Sequence, residues 1–192
     1  MDKQIYKKIK SGWKKPIYQN PGKKKMKKTL EYLYLLQGRK VVDFGSNAGI
    51  ITYDIAKYAK EFVGVEYDLH FYKQSLDTLK HIKTPGQFVN QSVGDFIKTT
   101  NFDYDAIFAS CILYHLKTDE IDLIREKMLP KCEVVLFVSR EDKKKKNNNP
   151  YDLGKWKNIK SFLTDAGMGV EVYNTDSNWV TVIGTKLEGE NL

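Results

Sequence analysis

The sequence predicts an α/β domain built on a doubly wound, mostly parallel sheet of seven strands, with helices on both faces and a C-terminal antiparallel hairpin. Two observations support this fold class. First, short apolar runs rich in β-branched and aromatic residues alternate with helical patterns, as expected for strands buried on both faces of a parallel sheet. Second, only the turn TDSN separates the last two runs, which is too short for a helical crossover and therefore indicates an antiparallel pair. In chain order, the predicted strands are KVVDF, EFVGVE, QFVN, YDAIFAS, EVVLFVS, GVEVYN and WVTVIGTK.

The predicted helices follow from apolar residues that recur at intervals of three and four. Gly38 and Gly167 are placed to end the first and the last of these helices. A further helix is expected after the fourth strand, where Thr118 can cap it and Asp119 and Glu120 suit its positive N-terminal dipole. Three other helices are defined by their apolar residues. These are, in chain order, Met26, Leu30, Leu33 and Tyr34 in the first; Leu69, Tyr72, Leu76 and Leu79 after the second strand; and Trp156, Ile159, Phe162 and Leu163 in the last.

The chain of 192 residues is long enough for one domain with a substantial core. We expect residues 1–37 to form a lysine-rich arm and helix that cap the substrate or the cofactor, and residues 38–192 to form a single domain. No apolar run approaches the roughly 18 residues of a membrane span, and the N-terminus lacks the apolar stretch of a signal peptide. Cys111 and Cys132 are predicted at opposite ends of neighbouring strands, too far apart for a disulfide. A reducing, cytoplasmic setting is therefore expected.

Positive charge is concentrated near the start of the chain. The formal net charge is +8, yet residues 1–28 hold eleven lysines and one acid, which leaves the rest of the chain slightly acidic. The run Lys143–Lys146 is a second concentration. Such patches attract phosphate-rich partners or acidic membrane surfaces. The alternative is a solvated surface that reflects a compositional bias. Lysines outnumber arginines by 29 to 3, whereas dedicated phosphate-binding sites favour arginine, whose guanidinium can form two hydrogen bonds to one phosphate.

The stretch VVDFGSNAGIIT, residues 41–52, indicates a ligand site at the end of the first strand. In a doubly wound sheet, ligands bind beyond the carboxyl ends of the strands, where the strand order reverses. Asp43 stands at the strand end, Gly45 allows a backbone conformation or a close approach that a side chain would block, and Gly49 leads into a helix whose free N–H groups attract an anion. Glu66 ends the second strand, where a carboxylate can accept both hydroxyls of a ribose. The alternative is that Asp43 only ties down the loop and Glu66 is solvated.

Several segments together resemble the class I, seven-stranded, Rossmann-like family of S-adenosylmethionine-dependent methyltransferases. VVDFGSNAGIIT is similar to that family's first motif, GVEYD to its second-strand acid, SVGDF to its adenine-reading segment, and FDYDAIFASCILYHL to its fourth strand and following loop. The resemblance covers about residues 38–186. It implies that residues 38–192 bind S-adenosylmethionine, transfer its methyl group and release S-adenosylhomocysteine. In one departure, Ser46-Asn47 replaces the more common Cys-Gly type of pair, although asparagine tolerates left-handed backbone angles.

The resemblance also implies roles for individual residues in cofactor binding. Tyr67 either packs on the ribose or adenine or is simply an exposed aromatic side chain. The other implied cofactor-binding residues are Asp43, Gly45, Ser46, Asn47 and Gly49 at the methionine end, Glu66 on the ribose, Asp95 and the Phe96 backbone on the adenine, and Ser110 near the sulfonium.

His115 and Tyr114 are the candidate catalytic residues, because they follow the fourth strand on the rim toward which the methyl donor should point. A histidine there can act as a general base. The alternative is that His115 only packs over the cofactor, and Tyr114 has the same ambiguity. The implied reaction is an in-line displacement that depends mainly on alignment, with a base needed only if the acceptor must lose a proton early. No cluster of ligating residues has metal-binding spacing, so no metal site is predicted.

The acceptor is less well defined by the sequence. The segment SCILYH lacks the Asp/Asn-Pro-Pro-aromatic motif of amino-methylating DNA enzymes, and Cys111 does not follow a proline as a cytosine-C5 nucleophile does. Tyr18, Tyr151 and Trp156 are candidate substrate contacts, since aromatic residues beside lysines suit stacked bases, sugars or a lid.

Four functions remain open at this point. A compact body with a short arm favours a small-molecule or saccharide acceptor, and RNA held by the lysine arm is the alternative. A non-catalytic subunit that binds S-adenosylmethionine is a lesser one. A nicotinamide-dependent oxidoreductase is disfavoured by the final hairpin and by the glycine spacing, which is G-x-x-x-G and not G-x-G-x-x-G.

Overall fold

The computed structural model describes residues 27–101, 103–140, 151–175 and 179–187. The strands are β1 (Lys40–Phe44), β2 (Glu61–Val65), β3 (Gly86–Val89), β4 (Ala106–Ser110), β5 (Val134–Arg140), β6 (Met168–Thr175) and β7 (Trp179–Lys186). They form a seven-stranded sheet with the order β3-β2-β1-β4-β5-β7-β6. The first five strands are parallel, and β7 pairs antiparallel with both β5 and β6. The sheet confirms the predicted fold class, and all seven predicted runs form strands.

Helices cover both faces of this sheet. They are α1 (Lys27–Glu31), α2 (Ile50–Ile55), α3 (Leu69–Leu79), α4 (Val93–Thr99), α5 (Thr118–Leu123) and α6 (Trp156–Asp165). A π-helical turn, Ile124–Met128, continues α5. Val41 and Val42 are adjacent on β1 and point to opposite faces, yet both are fully buried because Leu36 and Ile55 cover one face and Ile121 covers the other. Burial on both faces explains why the parallel strands read as continuous apolar runs.

The strand register brings three predicted site residues to one edge of the sheet. Phe44 at the end of β1 is level with Val65 on β2 and with Ala109 on β4. Gly45, Glu66 and Ser110 each lie one residue beyond these three level positions, and so they emerge at the same edge of the sheet. Because β1 lies between β2 and β4, this edge is also where the strand order reverses.

The predicted apolar stripe of α3 is only partly buried. Leu69 and Leu76 are 53% and 38% exposed, respectively. The buried side chains of this helix are Gln74, Ser75 and Thr78. The Thr78 hydroxyl donates to the backbone carbonyl of Ala48 at 2.6 Å. A polar side chain is favoured at this position because the helix packs against the loop after β1, which presents backbone carbonyls.

One local prediction is wrong and others fall outside the described residues. The helix after β4 begins at Thr118 itself, so Thr118 is not its cap, and the Glu120 carboxylate accepts the Lys117 N–H instead. The segment 1–26, with Met26, and the run Lys143–Lys146 lie outside the described residues. Among the helices that are described, none is long and apolar enough to cross a bilayer.

Candidate cofactor and acceptor site

The loop after β1 depends on left-handed backbone angles. The φ angle is 67° at Gly45, 49° at Asn47 and 74° at Gly49. Glycine adopts such angles freely, and asparagine tolerates them better than most residues. The Asn47 side-chain amide donates to the Gly45 carbonyl at 3.0 Å, and the Gly49 N–H donates to the Ser46 carbonyl at 2.9 Å. The Ser46-Asn47 pair is therefore accommodated within a tight turn.

Asp43 fastens this loop to the helix that follows it. Its Oδ2 atom accepts a hydrogen bond from the Thr52 hydroxyl at 2.5 Å, and the residue is 2% exposed. Burial raises the pKa of Asp43 to about 7; the bond from Thr52 opposes this shift and the nearby Glu66 charge adds to it. Because Thr52 lies on α2, this hydrogen bond lets Asp43 support the loop between β1 and α2.

The free energy of unfolding is expected to fall as the pH rises from about 4 to about 7, because of Asp43. The ordinary pKa is 3.8 and the folded pKa is about 7, so in this window the folded state keeps a proton that the unfolded state has lost. The destabilisation is absent below this window and complete above it, with an upper limit of about 4 kcal/mol. Denaturant titrations of the wild type and Asp43→Asn at pH 5 and pH 8 measure it. The variant can still accept from Thr52 and should gain stability relative to the wild type at the higher pH; a difference that does not change with pH would contradict this assignment.

Glu66 joins the loop after β1 to the turn after β2. Its Oε2 accepts the Asn47 N–H and its Oε1 accepts the Asp68 N–H, both at 2.8 Å. Burial raises the pKa of Glu66, while the bonds from Asp68 and Asn47 lower it. At 8% exposure, Glu66 is not a solvated surface side chain. Each carboxylate oxygen has a second lone pair, so the group can accept ligand hydroxyls without losing these contacts.

Asn90, which follows β3, holds the same turn from the other side. Its Nδ2 donates to the backbone carbonyls of Glu66 and Tyr67, at 2.8 Å in each case. The Tyr67 side chain is strongly exposed, at 79%, and presents an aromatic surface beside Glu66. Asn90 was not among the residues predicted from the sequence, where its only signal was its position at the carboxyl end of a strand.

The turn before α4 carries the residues predicted to read adenine. The Ser92 hydroxyl accepts the Asp95 N–H at 3.0 Å and donates to Asp95 Oδ2 at 2.7 Å. Asp95 is exposed, whereas the Phe96 ring points into the core, edge-on to Phe44 with centroids 6.2 Å apart. The Phe96 N–H already donates to the Ser92 carbonyl at 3.0 Å, so the Asp95 carboxylate is the more available group for a ligand.

The segment after β4 carries Ser110 and both candidate catalytic residues. Ser110 ends the strand and is half-buried. Cys111 follows with φ 58°, which is uncommon for a residue with a side chain, and its N–H donates to the Val138 carbonyl at 2.8 Å. Tyr114 is 6% exposed whereas His115 is exposed, and their rings lie 4.3 Å apart between centroids. His115 is therefore the more accessible of the two to an acceptor.

Tyr151 fastens the chain after β5 to α5 and to the π-helical turn that continues it. The Tyr151 hydroxyl donates to Asp122 Oδ1 at 2.5 Å, and the Arg125 guanidinium lies 5.3 Å from its ring centroid. The bond to Asp122 is the main reason that the pKa of Tyr151 is raised. An adjoining cavity of about 270 Å³ is lined by Arg125, Tyr151, Asn158, Ser161, Phe162 and Asp165. Trp156 begins α6 and is half-buried, and Tyr18 lies outside the described residues. Contact of these three aromatic residues with an acceptor stays a prediction.

Within the described ranges, no group of three or more His, Cys, Asp and Glu side chains is arranged to hold a metal ion. The residues at the edge of the sheet do fit S-adenosylmethionine. Glu66 offers a buried carboxylate for ribose hydroxyls, and the loop after β1 follows a path that glycine at positions 45 and 49 makes possible.

Comparison with known protein families identifies the chain. A family model described as ribosomal RNA adenine dimethylase matches residues 8–149. The chain belongs to this family. It is an S-adenosylmethionine-dependent methyltransferase, and S-adenosylmethionine is its cofactor. No curated protein sequence matches the chain.

Solved structures of methyltransferases share the fold of this ribosomal RNA adenine dimethylase family member. Magnesium protoporphyrin IX methyltransferase from Synechocystis PCC 6803, with bound cofactor, aligns with a TM-score of 0.66 and 12% identity over 95% of this chain and 90% of that one. A putative RNA methyltransferase from Pyrococcus horikoshii gives 0.65 and 17% over 100% of both chains. The N-methyltransferase NodS from Bradyrhizobium japonicum WM9 gives 0.68 and 14% over 88% and 99%. At these identities the likeness is one of fold.

Proposed function

We propose that this methyltransferase acts on RNA and that its lysine-rich N-terminal segment holds the RNA. The observation that carries the proposal is the extent of the family match, because residues 8–149 include most of the lysine-rich segment as well as the cofactor site. The family is described by a ribosomal RNA substrate, and one of the similar structures is described as a putative RNA methyltransferase. The sequence alone favours a small-molecule or saccharide acceptor, and the family match reverses that order.

The point where the arm joins the folded body supports this proposal. The hydroxyls of Thr29 on α1 and Thr181 on β7 form a fully buried hydrogen bond of 2.8 Å. Thr181 is level with Val138 on β5, and Val138 is level with Ser110 on β4. Neighbouring strands lie about 4.8 Å apart, so Thr181 is roughly 10 Å from Ser110. A nucleic acid bound by the preceding lysines thus has a short path to the edge of the sheet that carries the site.

The cofactor side of the reaction is assigned to residues at the carboxyl ends of β1, β2 and β3. S-adenosylmethionine, when bound, supplies a methyl group on an electrophilic sulfonium. Glu66 accepts the ribose hydroxyls, Asp95 accepts the adenine amine, and Asp43 keeps the loop after β1 in place through Thr52. Each role uses a group that the surrounding hydrogen bonds already orient, so little entropy is lost on binding.

The acceptor side is assigned to the segment after β4. Ser110 lies at the strand end and the exposed His115 lies five residues beyond it, so His115 is our candidate to remove a proton from the acceptor. The buried Tyr114 packs beside the His115 ring and limits its movement. Alignment of the acceptor supplies most of the expected rate acceleration, and the base contributes when the nucleophile is protonated.

A labelled-methyl experiment tests the proposed acceptor. The full-length protein is incubated with S-adenosylmethionine labelled in its methyl group and with a cell extract, which is then separated into RNA, protein, glycan and low-molecular-weight fractions. Label in RNA that is released by ribonuclease supports the proposal, and digestion to nucleosides identifies the methylated atom. Label confined to the low-molecular-weight or glycan fraction overturns it.

A small-molecule or saccharide acceptor is the second candidate. The observation that favours it is the segment Ser110–His115, which reads SCILYH and lacks the Asp/Asn-Pro-Pro-aromatic motif associated with methylation of base amines. Tyr114, the aromatic residue that precedes His115 in this segment, is 6% exposed and so offers little ring surface to a base. If RNA is the acceptor, this segment leads us to expect a nucleophile other than a base amine held by that motif.

A further inference from the structure

The Glu120 carboxylate joins two turns on the acceptor and adenine sides of the site. Its Oε2 accepts the Lys117 N–H at 3.0 Å, within the first turn of its own helix. Its Oε1 accepts the Gly94 N–H at 3.0 Å, across to the first turn of α4. Gly94 directly precedes Asp95, and Lys117 lies two residues after His115. One side chain therefore connects the segment after β4 to the turn that presents Asp95.

The contact between Gly94 and Glu120 leaves little room for a side chain at position 94, and a Cβ atom there would push the Glu120 side chain by a few tenths of an ångström. A Cβ atom on Gly94 would lie 3.0 Å from Glu120 Cγ, which is closer than carbon atoms normally pack. Gly94 is buried and Glu120 is half-buried, so the hydrogen bond is partly shielded from water. A charge-assisted bond in such a place is stronger than a neutral one.

Ser92 and Glu120 together define the position of Asp95. Ser92 fixes Asp95 from one side through the bonds to its N–H and to its carboxylate. Glu120 fixes the preceding peptide from the other side by accepting the Gly94 N–H. Without Glu120, the Gly94 N–H would lose its acceptor and the first turn of α4 would be free to shift.

We propose that Glu120 is a positioning residue that orients Asp95 and so sets the selectivity of the cofactor site for adenine. The inference rests on the role proposed above for Asp95. An adenine amine donates to a carboxylate, whereas the carbonyl at the same position of hypoxanthine repels it. Selectivity between these bases therefore reports the position of the Asp95 carboxylate, and it does not depend on which acceptor is methylated.

The test compares the affinities of two ligands by calorimetry on the full-length protein: S-adenosylhomocysteine, and S-inosylhomocysteine, in which a carbonyl replaces the adenine amine. The wild type is expected to prefer the adenine ligand by about tenfold or more, since the hypoxanthine carbonyl forms no hydrogen bond with the Asp95 carboxylate and is repelled by its charge. Glu120→Gln has one acceptor oxygen for two N–H donors and is expected to lower this preference about fivefold. Glu126→Gln, an exposed residue on the π-helical turn after α5, is the matched control and should leave the preference unchanged.

If Glu120→Gln prefers S-adenosylhomocysteine over S-inosylhomocysteine as strongly as the wild type does, the inference is overturned. If the wild type itself shows no preference, the Asp95 assignment fails and the inference fails with it, while the proposed RNA acceptor is unaffected. Should Glu120→Gln not fold, Gly94→Ala is the second variant: its Cβ atom would lie 3.0 Å from Glu120 Cγ, which pushes this side chain away from the Gly94 N–H and is expected to lower the preference in the same direction. A preference unchanged in that variant also overturns the inference.

Discussion

Replacing Glu66 by alanine is expected to weaken the binding of S-adenosylhomocysteine by about 100-fold. The variant loses two charge-assisted hydrogen bonds to the ribose, which together contribute about 3 kcal/mol, and each 1.4 kcal/mol corresponds to a tenfold change in affinity. It also leaves the N–H groups of Asn47 and Asp68 without their carboxylate acceptor, so the loop after β1 loses part of its support. Isothermal calorimetry on the purified protein measures the dissociation constant directly, without an acceptor.

Two further variants separate ribose binding from loop support. Glu66→Gln keeps one acceptor oxygen and much of the packing, and we expect a loss of about tenfold. Glu61→Ala removes a carboxylate at the opposite end of the same strand and should leave the affinity unchanged. An affinity in Glu66→Ala within about twofold of the wild type, with the protein still folded, would falsify the ribose assignment.

The strands and the loop after β1 were predictable because their signals are local. Runs such as KVVDF and EVVLFVS are apolar on both faces, and this pattern alone indicates a strand in the middle of a parallel sheet. Gly45 was expected to adopt a backbone conformation that a side chain would block, and its φ angle is left-handed, as is that of Gly49 at the start of the helix. The consequence is that a cofactor site at the end of β1 could be proposed from twelve consecutive residues.

The polar contacts that complete the site were not predictable in the same way. Glu120 reaches Gly94, which is 26 residues away, and Asn90 reaches Glu66 at a separation of 24. Such contacts have no periodicity in the sequence, because they arise only when the sheet brings distant turns together. The sequence assigned Glu120 to the dipole of its own helix, and the structure adds the second contact that connects it to α4.

The buried face of α3 was difficult to predict for a related reason. The sequence shows a stripe of apolar residues at helical spacing, but the helix lies against a loop that offers the Ala48 carbonyl as a hydrogen-bond acceptor. A buried threonine that donates to such a carbonyl avoids the penalty of an unpaired polar group. The spacing of apolar residues reveals the apolar stripe of a helix, but it does not show which surface the helix packs against.

Neutralising three lysines of the arm is expected to weaken RNA binding by about 100-fold at 0.1 M salt. In the variant Lys23→Gln, Lys24→Gln, Lys25→Gln, three positive charges are lost. If each of these lysines neutralises one phosphate of single-stranded RNA, the slope of log affinity against log salt becomes shallower by about 2. Filter binding of a labelled single-stranded RNA is measured at salt concentrations from about 0.05 to about 0.3 M, a range over which the Debye length shortens. It gives both the affinity at about 0.1 M salt and the slope of log affinity against log salt.

A matched triple variant on the folded body distinguishes a specific arm from a diffuse positive surface. Lys98, Lys127 and Lys160 are exposed on α4, on the π-helical turn after α5 and on α6, which all cover the face of the sheet opposite α1. Their replacement by glutamine removes the same total charge, yet it should reduce RNA affinity far less than the arm variant does. Equal losses in the two triple variants would mean that net charge alone attracts RNA. An arm variant with unchanged RNA affinity would instead favour the small-molecule acceptor, since the lysines would then reflect composition and not binding.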